Sequence, residues 1–241
     1  KITGNDSGWG WNVGVLWQAT EQTRYGAAYR SKIKYDVRGT VNIENPSALA
    51  PLPTSLAPVG ASIMAGVNAA LASGDVKLAI EMPDTANVSV FHQFNNKWDL
   101  MADLQHTGWS SIQQLQVVRS TGAVLSTTPE NFRNTWRFSV GANYRYSDSW
   151  ILRGGLAFDQ SPVRDADRTP RLPDNDRTWL AVGAQYKVSP SIALDLAWAY
   201  IFVKDPGMNQ NAGSTAANGL ISGTYKSDVN IVGLQLTYTM K

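Results

Sequence analysis

Apolar and polar side chains alternate one by one along the stretch from Phe132 to Val203. In its first segment, the apolar positions are Trp136, Phe138, Val140, Ala142, Tyr144 and Tyr146. The positions between them are small or polar, as at Arg137. Because successive side chains of a β-strand point to opposite faces, this period of two predicts a strand with one apolar face. Three further segments repeat the pattern, with short turns at 147–149 and 189–191.

Two kinds of structure can accommodate such strands. A soluble β-sandwich would bury the apolar face against a second sheet. An outer-membrane β-barrel would turn that face to lipid and enclose the polar face around a lumen. Short turns alternate with long loops along this chain, and aromatic residues such as Trp150 and Trp198 lie near predicted strand ends. Both features are typical of outer-membrane barrels, so we favour an all-β fold, a transmembrane antiparallel β-barrel.

The whole chain predicts nine strands. Those outside the opening stretch are at 8–18, 24–42, 85–94, 97–118 and 228–240. The charge-rich second half of the 24–42 strand is expected to extend beyond the membrane, and a slip of the alternation near Gly108 predicts a β-bulge. Bacterial single-chain barrels have even strand numbers. The odd count therefore predicts that residues 1–241 form the C-terminal part of a larger barrel.

Long external loops are predicted at 44–84, 119–131, 160–177 and 204–228. The first begins with four prolines and continues with apolar residues at helical spacing from Val59 to Leu71, which predicts a short helix. A soluble protein would use such a helix in its core, whereas an external barrel loop has no core to fill. We therefore predict a hydrophobic ligand groove. Its residues are Leu52, Leu56, Val59, Ile63, Met64, Val67 and Leu71.

Composition narrows the classes of function. A net charge of +2 without a basic run interleaved with aromatics argues against nucleic acid as a partner. The absence of cysteine excludes disulfides and thiolate metal sites. His92 and His106 lie on different stretches without a cluster of ligands, so we predict no metal and no cofactor.

Two alternatives belong to other classes of protein. An outer-membrane lipase could combine serine and aspartate residues with His106, but no nucleophile-elbow motif is present. We therefore predict no catalytic residues and no enzyme. A soluble β-sandwich that binds ligands on its loops is the other alternative, and it would remain in aqueous buffer. Charged residues near the predicted barrel mouth are expected mainly to hold a loop against the wall; they are Arg153, Asp159, Arg168, Asp174, Asp176 and Arg177.

Four sequence motifs resemble a known family. They are Tyr25 to Lys34 (YGAAYRSKIK), Trp109 to Leu115 (WSSIQQL), Phe158 to Val163 (FDQSPV) and Leu172 to Leu180 (LPDNDRTWL). In this order and at these loop positions they are similar to the long-chain fatty-acid transporters of the outer membrane, the FadL family. The resemblance covers nearly the whole chain. It implies a fourteen-stranded barrel with an N-terminal hatch, of which residues 1–241 would supply the last nine strands, without the hatch and the first strands.

The resemblance also implies passive uptake of a hydrophobic molecule by a monomer surrounded by outer-membrane lipid and lipopolysaccharide. The ligand would enter the groove of the external loops, pass into the lumen and leave sideways through the barrel wall. A fatty-acid carboxylate needs a cation there, because an unpaired buried charge is costly. Relatives can read Lys-His-Glu-Gly-Phe where this chain has Thr128 to Phe132. Arg133 and Arg137 are the remaining candidate cations, and the missing lysine leaves an aromatic hydrocarbon as an alternative ligand.

Overall fold

The computed structural model describes residues 1–43, 72–210 and 220–240. The secondary structure of these residues consists of sixteen β-strands and one 3-10 turn, Trp109–Ser111. The strands are β1 (Ile2–Asn5), β2 (Asn12–Gln18), β3 (Thr23–Arg30), β4 (Ile33–Val41), β5 (Gly74–Met82), β6 (Thr85–Gln93), β7 (Trp98–Thr107), β8 (Gln114–Arg119), β9 (Val124–Pro129), β10 (Thr135–Arg145), β11 (Trp150–Asp159), β12 (Arg177–Ser189), β13 (Ile192–Val203), β14 (Gly207–Gln210), β15 (Ile221–Thr224) and β16 (Asp228–Tyr238). Among these residues, no helix is long and apolar enough to span a membrane.

The chain divides into two compact units. The first contains Lys1–Trp9, Ile33–Met82 and Gln114–Pro129. It is a five-stranded antiparallel sheet with the order β1-β4-β5-β8-β9. Val41 and Val76 are buried in it. Its first two strands approach closely at Gly39, where a Cβ would lie only 1.9 Å from the Thr3 carbonyl oxygen, so a side chain cannot replace glycine without moving the backbone.

The second unit contains Gly10–Lys32, Pro83–Gln113 and Glu130–Lys241. Its main element is a nine-stranded sheet with the order β16-β13-β12-β11-β10-β7-β6-β3-β2. Every neighbouring pair is antiparallel. These nine strands correspond to the nine that the alternation predicts. A separate two-stranded sheet joins β14 to β15.

The apolar face of the nine-stranded sheet is exposed. Phe138, Leu156 and Val182 expose 50%, 54% and 47% of their surface, whereas the intervening side chains on the other face are mostly half-buried. A soluble sandwich would bury the apolar face, so this arrangement contradicts the sandwich alternative. We refer to the exposed apolar face as the outward face and to the opposite one as the inward face.

Two of the predicted strands are in fact pairs of strands in different sheets. The 24–42 strand is β3 followed by β4, and only β3 belongs to the nine-stranded sheet. The 97–118 strand is β7 followed by β8, with the 3-10 turn between them. The bulge predicted near Gly108 was therefore wrong: the Gly108 N–H donates to the Asp84 carbonyl (3.0 Å) and the chain leaves the sheet there.

Three of the four predicted loops contain strands. The 44–84 loop includes β5, the 119–131 loop includes β9, and the 204–228 loop includes β14 and β15. Backbone pairing of these strands satisfies donors and acceptors that an irregular chain would leave to water. The segment between β11 and β12 contains no strand. The helix predicted from 59 to 71 lies outside the described residues.

Candidate functional site

The inward face of the nine-stranded sheet contains three zones along the strands. Strand register places Gln105, Arg137, Asp159 and Arg177 side by side near the long loops. A middle row combines apolar and small residues: Phe91, Met101, Gly141, Gly155, Ala181 and Ala199. Charged and amide side chains return near the tight turns; they are Asp99, Asn143, Arg145, Arg153, Gln185 and Asp195. This row of apolar and small residues thus lies between two polar zones, and Asp103 and Ser139 border it on the side of the loops.

The zone near the loops anchors the segment between β11 and β12. Arg177 lies 3.3 Å from the Asp159 carboxylate and 3.8 Å from that of Asp174. Ser161 is completely buried, and its hydroxyl donates to Asp174 (2.7 Å) while its N–H donates to Asp176 (2.9 Å). As expected from the sequence, these charges hold a loop against the sheet.

Arg168 fixes the far part of the same loop. Only 3% of its surface is exposed. It donates to the carbonyl oxygens of Asp174 (3.0 Å) and Gly207 (2.7 Å) and pairs with Asp165 at 2.7 Å. Arg153 does not belong to this network, because it pairs with Asp195 at 2.6 Å in the zone near the turns. The prediction that Arg153 lies at the barrel mouth was therefore wrong.

The two arginines predicted to bind ligand differ in their environments. The Arg133 Nε donates to the Ser161 carbonyl at 3.1 Å, and its Nη2 lies 3.6 Å from Asp176. Arg133 is thus engaged in holding the loop. The guanidinium of Arg137 lies 5.1 Å from the centre of the Trp179 ring, and it forms no ion pair with a described carboxylate. Of the two, Arg137 is the half-buried cation that retains capacity for an anion.

Two buried donors near Arg137 lack partners. Trp179 Nε1 and Arg177 Nε have no hydrogen-bond partner within the part of the chain that is described. A buried donor without a partner is unfavourable by about 1–3 kcal/mol, and a bound water or anion is a common means of satisfying it. The zone near the loops therefore has unused hydrogen-bonding capacity beside its arginines.

A cavity of about 520 Å³ lies on the inward face at the middle row. Leu16, Phe91 and Met101 supply its apolar lining, and Gly141 leaves the wall free of a side chain. Asp103 and Ser139 make the rest of the lining partly polar. The Arg24 guanidinium lies 4.5 Å from the centre of the Phe91 ring at the same cavity. Sequence reasoning missed these residues as a site, although their alternation predicted the face on which they lie; the pairing register that brings them together is not local.

The zone near the turns is polar, and some of its charged groups are buried from water. Asp99 is only 3% exposed, and it accepts hydrogen bonds from Arg145 (2.8 Å) and Asn143 (3.4 Å). Asp195 accepts from Arg153 (2.6 Å) and Gln185 (3.0 Å). An apolar solute that displaced water from these groups would leave charges unsolvated. This end of the inward face therefore disfavours hydrophobic molecules.

Asn131 shapes the segment that enters β10. It has a positive φ of 46°, a conformation that favours glycine or asparagine. Its side chain donates to Asp167 at 2.7 Å, and its carbonyl accepts from Arg164 at 2.8 Å. Burial raises the pKa of the neighbouring Glu130 carboxyl; Arg171 opposes this rise and Asp167 adds to it.

The remaining predicted site residues are not assembled in the described structure. All seven groove residues, from Leu52 to Leu71, lie outside the described residues. His106 packs on the Trp136 ring at 4.8 Å, and His92 Nδ1 lies 2.9 Å from the Thr23 hydroxyl. Among the described residues, neither histidine is part of a hydroxyl–imidazole–carboxylate arrangement, so the structure gives no support to the lipase alternative.

Comparisons with known proteins agree with this geometry. Residues 1–240 match the family model described as "Outer membrane protein transport protein (OMPP1/FadL/TodX)". The long-chain fatty acid transport protein of Escherichia coli (strain K12) is 31% identical over 213 residues, which cover 87% of this chain and 45% of that protein. The chain spans about half the length of the curated relatives it matches.

Solved structures give the same result. A crystal structure of a Pseudomonas aeruginosa FadL homologue matches with a TM-score of 0.77 and 29% identity, over 95% of this chain and 52% of that one. The CymD monoaromatic hydrocarbon channel matches with a TM-score of 0.50 and 26% identity, over 82% of this chain and 47% of that one. This chain therefore belongs to the outer membrane protein transport family that includes FadL and TodX, and its nine-stranded sheet is part of an outer-membrane β-barrel.

Proposed function

We propose that this chain forms part of a channel for the passive uptake of long-chain fatty acids across the outer membrane. The ligand is captured in the groove of the external loops, moves along the inward face and leaves through the barrel wall. Family membership supports this route, and the similarity to the Escherichia coli fatty acid transport protein supports the ligand class. The chain works as a monomer among outer-membrane lipid and lipopolysaccharide, and it performs no covalent chemistry.

The observation that carries the proposal is the apolar middle row between two polar zones. A fatty acid has an apolar chain and one charged end, so it matches an apolar surface with a cation at one side. The cavity at Phe91 and Met101 accommodates the chain. Arg137 lies within reach of the loops and is the cation we assign to the carboxylate. Because the zone near Asp99 disfavours apolar solutes, exit through the wall is easier than exit along the barrel axis.

A second candidate ligand is a neutral aromatic hydrocarbon. The similarity to the CymD monoaromatic hydrocarbon channel supports it, as does the threonine at 128 where relatives can have lysine. A hydrocarbon has no carboxylate, so it would gain much less from Arg137 than a fatty acid would. A fatty acid therefore depends on Arg137 at the inward face more strongly than a hydrocarbon does.

Replacing the proposed cation distinguishes these ligands. In cells that express the full-length protein, Arg137→Met should lower the uptake of labelled oleate about tenfold and leave labelled toluene uptake unchanged, since a charge-assisted hydrogen bond contributes about 1.5–3 kcal/mol. Arg137→Lys is the matched variant that keeps the charge and should retain most oleate uptake. If oleate uptake by wild type does not exceed that of cells without the protein while toluene uptake does, the hydrocarbon is the ligand. If neither does, the transport proposal fails.

The groove of the external loop needs a separate test. Replacing Ile63, Met64 and Val67 together by aspartate should abolish ligand capture, because three charges make an apolar groove unfavourable for hydrocarbon. Replacing the same residues by leucine keeps the surface apolar and serves as the control. Binding of oleate to purified protein should fall in the aspartate variant alone. Unchanged binding would place capture elsewhere.

A further inference from the structure

One carboxylate on the inward face of the nine-stranded sheet differs from the others. Three carboxylates of this face pair with arginine; the pairs are Asp99 with Arg145, Asp159 with Arg177, and Asp195 with Arg153. Asp103 on β7 forms no ion pair with any residue in the described part of the chain. It accepts one side-chain hydrogen bond, from the Asn87 amide at 2.7 Å. Because an ionised carboxylate offers about four acceptor positions, Asp103 retains most of its hydrogen-bonding capacity.

Two serine hydroxyls lie beside Asp103 on the neighbouring strands. The strand register places Ser89 of β6 and Ser139 of β10 directly opposite Asp103. Neither hydroxyl forms a hydrogen bond with another described residue, and all three side chains are half-buried. A Cβ added to Gly26 would lie only 2.6 Å from the Ser89 Oγ, so the glycine leaves room for this hydroxyl. We refer to Ser89, Asp103 and Ser139 as the polar row.

The polar row forms one side of the cavity on the inward face, opposite an apolar surface that includes Phe91 and Met101. An acyl chain that displaced water from Asp103 would leave a carboxylate poorly solvated, which is unfavourable. A hydroxyl group on the ligand removes this penalty, because it can donate to Asp103 and accept from the Ser139 hydroxyl. A hydrogen bond to an ionised acceptor is also stronger than one between neutral groups. The cavity thus combines an apolar surface with partners for one hydroxyl.

The charges around the cavity decide which polar group it accepts. A second carboxylate on the ligand would be repelled by Asp103. An ammonium group would meet the positive charge of Arg24, whose guanidinium lies over the Phe91 ring in the same cavity. A neutral hydroxyl avoids both repulsions and still donates a proton to Asp103.

The position of Arg137 determines where on the ligand this hydroxyl belongs. Its guanidinium lies 5.1 Å from the centre of the Trp179 ring on β12. In the order of the sheet, β12 and β7 are three strand spacings apart, which is about 14 Å. The guanidinium and the Asp103 carboxylate are therefore separated by a distance on the order of 10 Å. A ligand whose carboxylate is bound at Arg137 must carry its hydroxyl near the middle of the acyl chain.

We propose that the polar row selects fatty acids with a hydroxyl group near the middle of the acyl chain. The proposal rests on the proposed function, because Arg137 holds the carboxylate of the same ligand. A site built to hydrogen-bond a hydroxyl rejects the analogue that lacks it, since the polar groups of the site are then left unpaired. Asp103 and Ser139 are thus the specificity-determining residues, and the apolar side of the cavity holds the chain.

Binding of three labelled acids to the full-length protein in mild detergent tests this selectivity. Wild type should bind 12-hydroxystearate about tenfold more tightly than stearate, because the hydroxyl supplies the hydrogen bonds that stearate removes. 2-Hydroxystearate should bind like stearate, since its hydroxyl cannot reach the polar row while its carboxylate lies at Arg137. Asp103→Leu should remove the preference by strengthening the binding of stearate and weakening that of 12-hydroxystearate.

A matched variant controls for the general loss of a polar side chain. Gln185→Leu removes an inward polar residue near the turns, outside the cavity, and should keep the tenfold preference. Ser139→Ala removes one of the two partners and should reduce the preference to about threefold. It replaces Asp103→Leu if that variant does not fold.

Two results would overturn the selectivity: equal binding of stearate and 12-hydroxystearate by wild type, or a tenfold preference that survives in Asp103→Leu. Uptake by cells separates this failure from that of the transport proposal. If stearate and 12-hydroxystearate enter cells equally, and faster than they enter cells without the protein, transport stands and the selectivity fails. If neither acid enters faster, the transport proposal fails and the selectivity fails with it.

Discussion

The two faces of the nine-stranded sheet differ in chemistry although they share the same backbone hydrogen bonds. On the outward face, large apolar side chains such as Leu156 and Val182 remain exposed. On the inward face, the charged side chain of Asp99 is buried and paired with Arg145. A soluble protein shows the reverse. The difference indicates that lipid takes the place of a core on one face, and that ion pairs supply much of the specific packing on the other.

A charge placed on the outward face should have the largest effect on stability. Val182→Arg puts a guanidinium into lipid near the middle of β12 and should destabilise the protein by about 2–4 kcal/mol. Ala181→Arg, one residue away, points to the inward face and away from lipid, so it should destabilise the protein less than Val182→Arg does. Urea unfolding of the full-length protein from lipid vesicles measures both. Equal losses for the two variants would contradict the assignment of the faces.

Breaking an ion pair on the inward face should lower stability by an intermediate amount. Asp99→Leu leaves the Arg145 guanidinium without its carboxylate and should cost about 1–3 kcal/mol, because the Asp99 side chain is 5% exposed whereas that of Arg145 is 37% exposed. Adding Arg145→Leu to Asp99→Leu removes the unpaired charge and should restore part of the lost stability. The same unfolding measurement on the single and double variants gives the coupling energy. Additive losses would show that the pair contributes nothing to the inward face.

Truncating an outward aromatic residue should have the smallest effect. Trp98→Ala removes the tilted ring contact with Tyr144 and should destabilise the protein by about 0.5–1.5 kcal/mol. The same change in a soluble core costs about 3–5 kcal/mol. The loss is smaller here because lipid chains solvate the outward face as well as a protein interior would. Trp98→Phe keeps most of the ring contact and should be nearly neutral. A loss of the size seen in soluble cores would mean that protein covers Trp98.

Several features of the fold were predictable because their signals are local. The period of two along β10 to β13 fixes which side chains share a face, and it identified all nine strands of the large sheet. The same signal is present in β5, where Val76, Leu78 and Ile80 alternate with polar or small residues, so this strand could also have been found. Its position in a proline-rich region favoured the prediction of a loop.

The sequence by itself determined the alternation, and with it the apolar and the polar face of each strand. Only the tertiary structure decided that β4 and β8 leave the large sheet, that Arg133 is bound to the Ser161 loop while Arg137 remains available, and that Ala142 lies against Gly154. Alternation depends on neighbours in the chain, whereas sheet membership and register depend on hydrogen bonds between residues far apart in sequence. A shift of strand register would preserve much of the apolar–polar alternation along each strand. It would nevertheless separate residues on neighbouring strands that now lie opposite each other, such as Ala142 and Gly154.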